Sequence, residues 1–178
     1  MSHMQRKTFG NMQCPIARGL DRVGEWWSIL ILRDAFHGLT RFDEFQKSLE
    51  IAPNMLTRRL GSLVEAGLLE KRQYSKKPPR YEYVLTARGR DFRPVLIAML
   101  AWGNRQFADE GVAVDVVDAA TGAIAEPVIV DRHTGRELTE RDFTFAPGPA
   151  ASDRTRRRMK LAQERRPENG AQTNTASN

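Results

Sequence analysis

With 178 residues, 40% hydrophobic and 28% charged, the chain can build one globular domain with attached segments. No apolar run reaches the about 18 residues of a membrane span and no signal-like stretch follows the start, so neither membrane insertion nor secretion is expected, and the cytoplasm is the expected location. The net charge of +6 is uneven: residues 40–90 hold eleven Lys/Arg against six Asp/Glu, 109–150 three against nine, and 151–178 seven against three, which argues for a directed nucleic-acid face with the acidic stretch turned away.

Met1-Ser2-His3-Met4 resembles a remnant fused ahead of a native start, and residues 1–13 are expected to form a flexible arm. Cys14 is the only cysteine, so no intrachain disulfide can form. It precedes Pro15, a suitable first helical residue, with Arg18 one turn on. A thiol at a helix start beside a cation loses its proton more readily, which makes Cys14 a candidate redox or electrophile sensor; the competing reading is a small buried hydrophobe.

Val23 to Phe36 is apolar almost all round and predicts a buried helix, the hub of the core, ended by Gly38. Trp26 and Trp27 cannot both point inward, so one is expected to meet another element or a second subunit. Thr40 is a candidate cap for the next helix, with Asp43 three residues on in a variant capping box, and Phe42, Phe45 and Leu49 form its apolar stripe. A second helix is expected from Pro53 to Ala66, stopped by Gly67, with Leu56, Leu60 and Leu63 as its buried seam. Its opposite face carries Asn54, Thr57, Arg58 and Ser62, with Arg59 near the edge, residue types that read bases and grip phosphates.

Leu68–Tyr74 and the alternating Tyr81–Leu85 predict a hairpin around Ser75-Lys76-Lys77-Pro78-Pro79-Arg80, a basic, proline-stiffened loop able to follow a duplex backbone. Helix, tight turn, helix and basic hairpin is the order of a winged helix-turn-helix. Asp91 to Ala108 predicts a further helix with Phe92, Leu96, Met99, Leu100 and Phe107 on one side and Val95 and Trp102 beside them, a stripe wide enough to pack against its counterpart in a second chain. Beyond Gly111, Val112–Asp118 and Glu126–Asp131 read as strands with turns at Thr121-Gly122 and Thr134-Gly135, a small β appendage over 111–149; residues 150–178 are expected to be a disordered basic tail. The fold class is α+β: a winged helix-turn-helix over 14–110 with a C-terminal dimerisation helix and the appendage.

Cys14-Pro15, Gly24–Arg33, Arg41–Phe45, Leu56–Leu60, Leu63–Leu69, Tyr81–Thr86 and Gly89 together resemble the HxlR-type family of bacterial winged helix-turn-helix regulators, over about Cys14 to Gly111. The resemblance implies a homodimeric transcription factor on an inverted repeat near a promoter. It also strengthens Cys14 as a sensor, since several relatives use an N-terminal cysteine in this way. Some relatives carry a zinc-ribbon-like appendage, but the corresponding turns here offer Thr, Gly and only His133, too few ligands for zinc.

The expected function is sequence-specific binding of double-stranded DNA by a homodimer, acting as a repressor. Asn54, Thr57 and Arg58 are the base or near-base contacts; Arg59, Ser62, Lys76, Lys77 and Arg80 are the phosphate contacts. Leu96, Met99, Leu100 and Trp102 are the dimerisation candidates. The rival signal to Cys14 is a small apolar or aromatic effector held near Trp26, Trp27, Phe36 and Trp102; regulation with no ligand is the third possibility. No phosphate-binding glycine loop, nucleophile elbow or metal-spaced His/Cys set occurs, so neither an enzyme nor a cofactor is expected. The alternative class is a winged-helix protein-interaction module without specific DNA binding.

Overall fold

The computed structural model describes residues 14–165. The arm expected over residues 1–13 and the last part of the expected tail lie outside the described residues.

Helix α1 (Pro15–Val23) opens on a proline, whose missing N–H costs nothing in a first turn. It is closed by Gly24, whose N–H donates to the Leu20 carbonyl at 2.6 Å; a Cβ at Gly24 would collide with that same oxygen. The hub expected from Val23 to Phe36 therefore begins later, as α2 (Trp26–Phe36), which buries Ser28, Ile31, Leu32 and Asp34. Of its paired tryptophans, Trp27 packs on the core and Trp26 is 74% exposed.

Helix α3 (Phe42–Leu49) is preceded by Arg41, one residue later than the cap expected at Thr40. That shift moves the reciprocal carboxylate from Asp43 to Glu44, whose Oε2 accepts from the backbone N–H groups of Arg41 at 2.8 Å and Thr40 at 2.9 Å. A short turn through Glu50, at φ 50°, leads into α4 (Pro53–Glu65). The seam expected on α4 forms in full: Leu56, Leu60 and Leu63 are wholly buried against Ile31, Leu32 and Phe45. Each such side chain contributes about 1.5–3 kcal/mol by leaving water.

The wing consists of β1 (Leu69–Lys76) and β2 (Pro79–Leu85), paired antiparallel from Leu69 opposite Leu85 to Lys76 opposite Pro79, with an irregularity between Gln73 and Ser75. The loop expected over 75–80 shrinks to Lys77-Pro78 because the ladder continues almost to the tip. A bridge from Arg41 to Glu82 and the Tyr83 N–H donating to the Thr40 carbonyl at 2.7 Å tie the start of α3 to the wing. The Thr86 hydroxyl donates to the Gly67 carbonyl at 2.7 Å and accepts from Gly89 N–H at 3.0 Å, fastening the hairpin to the end of α4 and capping α5 (Ala87–Arg90). Gly89 lies so close to the Leu68 carbonyl that no side chain fits there. Helix α6 (Arg93–Gln106) follows and packs on α2.

Beyond α6 the two expected strands do not pair with each other. Each belongs to a tight hairpin of its own, closed by single bridges Val117 to Ile124 and Val130 to Glu137. The two turns repeat one device. Asp118 accepts from the backbone N–H and hydroxyl of Thr121, Asp131 does so from Thr134, and Gly122 and Gly135 take φ 72° and 68°. Local side-chain bonds outcompeted a longer ladder.

The tail expected to be disordered contains α7 (Asp153–Glu164). Ser152 caps it by accepting from Thr155 N–H at 3.3 Å, Asp153 meets its positive end, and Lys160 and Glu164 pair at 3.9 Å. These local stabilisers offset a composition that carries little apolar surface.

Candidate nucleic-acid interface

Helix α3, the turn through Glu50 and α4 form the helix-turn-helix, and the leucine seam of α4 fixes which of its faces meets solvent. Asn54, Thr57 and Arg58 are exposed together on that face, with Gly61 beside them adding no bulk. Within the described residues their side chains make no hydrogen bond or ion pair. Three polar groups free to bond outward, on one side of the first two turns, are what a helix entering the major groove presents to base edges.

The other two α4 candidates fall differently. Arg59 is only 3% exposed, and its guanidinium meets Glu25 at 2.9 Å. This corrects the expected phosphate role: one residue beyond Arg58 is a rotation of about 100° about the helix axis, which carries the side chain inward. Glu25 immediately precedes α2, so the pair holds α4 to the hub. Ser62 is half-buried and its hydroxyl donates to the Arg58 carbonyl at 3.0 Å, so it stabilises the helix rather than facing outward.

On the wing, Lys76, Lys77 and Arg80 are exposed around the tip and unengaged within the described residues. The basic residues nearer its base are partly committed. Arg72 pairs with Glu70 at 2.9 Å, which holds the Glu70 carboxyl below its ordinary range, and the Lys71 ammonium lies 4.2 Å from the Tyr81 ring centre. Arg41, passed over in the sequence, stacks 4.8 Å from the Tyr74 ring centre and so brings a further cation to the groove between α3 and the wing. Its position directly before a helix start, ahead of a tyrosine-rich hairpin, was the available signal.

Cys14 is half-buried at the start of α1. Its thiol is held below its ordinary value chiefly by the Ala17 N–H, with the Ile16 N–H and the Arg158 guanidinium of α7 acting in the same sense against burial. The four aromatic pocket candidates are not brought together. Trp27 packs against the core, Trp26 and Trp102 face outward, and Trp102 stacks edge-on with Phe107 at 4.9 Å, while Phe36 lines a cleft beside α6. Among the dimerisation candidates, Met99 and Trp102 are exposed, Leu96 turns to the core and Leu100 is half-buried; the exposed stripe is completed by Val95.

The model of the HxlR-like helix-turn-helix family matches residues 22–110, from the end of α1 through α6. The chain belongs to the HxlR-like family. An HTH-type transcriptional regulator of Mycobacterium tuberculosis, Rv3095, is 38% identical over 135 residues, covering 75% of this chain and 85% of its own. Among solved structures, the Pseudomonas aeruginosa transcription factor PA1374 is 56% identical with a TM-score of 0.60, covering 82% of this chain and 99% of that one. The redox regulator HypR in its reduced form is 32% identical with a TM-score of 0.50, covering 55% of this chain and 99% of its own. The HxlR-like relatives and neighbours are transcription regulators, not enzymes, and helix-turn-helix regulators bind DNA. No helix among the described residues is long and apolar enough to cross a membrane.

Proposed function

We propose that this HxlR-like chain is a homodimeric repressor that reads an inverted-repeat operator. The carrying observation is the outward face of α4, where Asn54, Thr57 and Arg58 stand exposed and unengaged beside a wing tipped by Lys76, Lys77 and Arg80. Asn54, Thr57 and Arg58 contact base edges, and the wing holds phosphates. Two copies join through α6, whose exposed stripe Val95, Met99 and Trp102 is an aggregation liability unless covered. Occupancy of a promoter-proximal operator excludes polymerase, hence repression. The arginines of α7 add sequence-independent attraction to the backbone.

Cys14 acts as the thiol switch. Its lowered pKa raises the thiolate fraction, and the likeness to a redox regulator supports the assignment. With one cysteine per chain, a two-electron oxidant such as diamide joins the Cys14 thiols of two chains, accepting two electrons and two protons.

The test is fluorescence anisotropy of the full chain on DNA flanking its own gene and on scrambled DNA, with and without diamide, alongside Cys14→Ser. Operator-selective binding that diamide abolishes only when Cys14 is present is the expected result. Selective binding insensitive to diamide removes the thiol switch and keeps the regulator. Equal binding to all sequences removes operator reading and favours an interaction module.

A further inference from the structure

Helix α2 packs against α6, and residues 114–117 of the appendage close one side of the gap, leaving a cleft of about 520 Å³, within the size range of small-molecule sites. Ile29, Phe36, Leu96, Ile97, Leu100 and Val116 give it apolar walls. Its rim carries charged groups of both signs. Arg33 is paired with Asp34 at 2.8 Å, while the side chains of Arg93 and Asp115 are unengaged within the described residues, Arg93 at the start of α6 and Asp115 in the appendage.

Arg93 is also the first residue of α6, whose first turn contains no acidic side chain. A cation there adds to the positive end of the helix instead of offsetting it, which favours an anion docking against Arg93. An apolar slot with an unengaged guanidinium at its mouth fits an amphipathic acid.

We propose that this cleft binds a small aromatic monocarboxylate, with its carboxylate on Arg93 and its ring between α2 and α6. The face of α6 lining the cleft, Arg93, Leu96, Ile97 and Leu100, is opposite the Val95–Met99–Trp102 stripe; only Met99 reaches both, at the lip. Occupancy therefore does not compete with the subunit contact. It bears instead on α2, and α2 is linked through Glu25 to Arg59 of the recognition helix. A ligand that resets the spacing of α2 and α6 changes the seating of α4.

The proposal rests on the regulator reading and names its effector class, but binding is measured without DNA, so the two readings fail separately. Calorimetry on the full chain compares 1-naphthoate with 1-naphthamide, which keeps the shape and lacks the charge. The acid is expected to bind at least about tenfold more tightly, as a charge-assisted contact predicts. Arg93→Gln, an exposed change that leaves the core intact, should erase that preference, and Ile97→Trp should fill the cleft and abolish binding of both. No heat with millimolar naphthoate, equal binding of acid and amide, or an acid affinity unchanged in Arg93→Gln overturns the proposal. So does an Ile97→Trp variant that loses its dimer without naphthoate ever having bound, because the cleft then belongs to the partner subunit.

Discussion

Arg58 and Arg59 are adjacent in the chain and opposite in role. Arg58 stands exposed on the outward face of α4, while Arg59 is buried against Glu25. A guanidinium with free forks can pair bidentately with a guanine edge, whereas one held by a carboxylate in the interior is committed to the fold. Arg58→Ala is therefore expected to cost roughly 1–3 kcal/mol on the operator and to narrow the gap between operator and random DNA. Replacing Lys76 and Lys77 together with Ala should weaken all sequences alike and flatten the dependence of affinity on salt. Anisotropy titrations over a salt series separate the two; equal losses on operator and random DNA for Arg58→Ala would remove its base-reading role, and an unchanged salt slope would remove the wing from the interface.

At the scale of elements, the entry of the chain into α3 rests on one carboxylate. Glu44 accepts two backbone N–H groups that the helix itself cannot satisfy, and the Arg41 N–H first, then that of Thr40, holds its carboxyl below the ordinary range. Because Glu44 ionises more readily folded than unfolded, its contribution is complete above the unfolded pKa of about 4.3 and is lost as pH falls through the lower folded value. Glu44→Gln keeps the shape and loses the charge, and is expected to cost about 0.5–1 kcal/mol at pH 7, with mutant and parent converging in acid below that folded value. Urea titrations stepped down from pH 7 check this; a difference between parent and mutant that does not shrink as the pH falls would show that charge is not what Glu44 supplies. The same cap also sets the wing, since Thr40 and Arg41 pair with Tyr83 and Glu82.

At the scale of the whole molecule, the outer side of α6 is the largest apolar side-chain stripe of that helix left facing solvent. Val95, Met99 and Trp102 are 46%, 43% and 54% exposed on one stripe, three large apolar side chains side by side in water. The proposed homodimer would cover them and would set two α4 helices about 34 Å apart, the spacing of successive major grooves, so that operator symmetry would follow protein symmetry. Trp102→Glu should give a monomer by light scattering and should lower operator affinity far more than affinity for random DNA. An intact dimer would move the interface elsewhere, to α1 for example, where Ile16 and Leu20 are also exposed.

The sequence by itself determined the helix-turn-helix and its wing, because the leucine seam of α4 and the alternation of β2 are periodic signals whose phase assigns every neighbouring side chain to a face. It therefore determined that Asn54, Thr57 and Arg58 point outward. Arg59 sits near the boundary of that phase, where a few tens of degrees decide between solvent and core, and only the approach of Glu25 from the start of α2 settled it. The pairing within the appendage and the helix α7 were not legible because their order comes from single side chains, Asp118, Asp131 and Ser152, bonding to the backbone a few residues away, a signal that hydrophobic periodicity does not carry. The cleft between α2 and α6 was illegible for a stronger reason: its walls come from segments far apart in the chain, and a cavity is the shape left between packed elements, which no local pattern encodes.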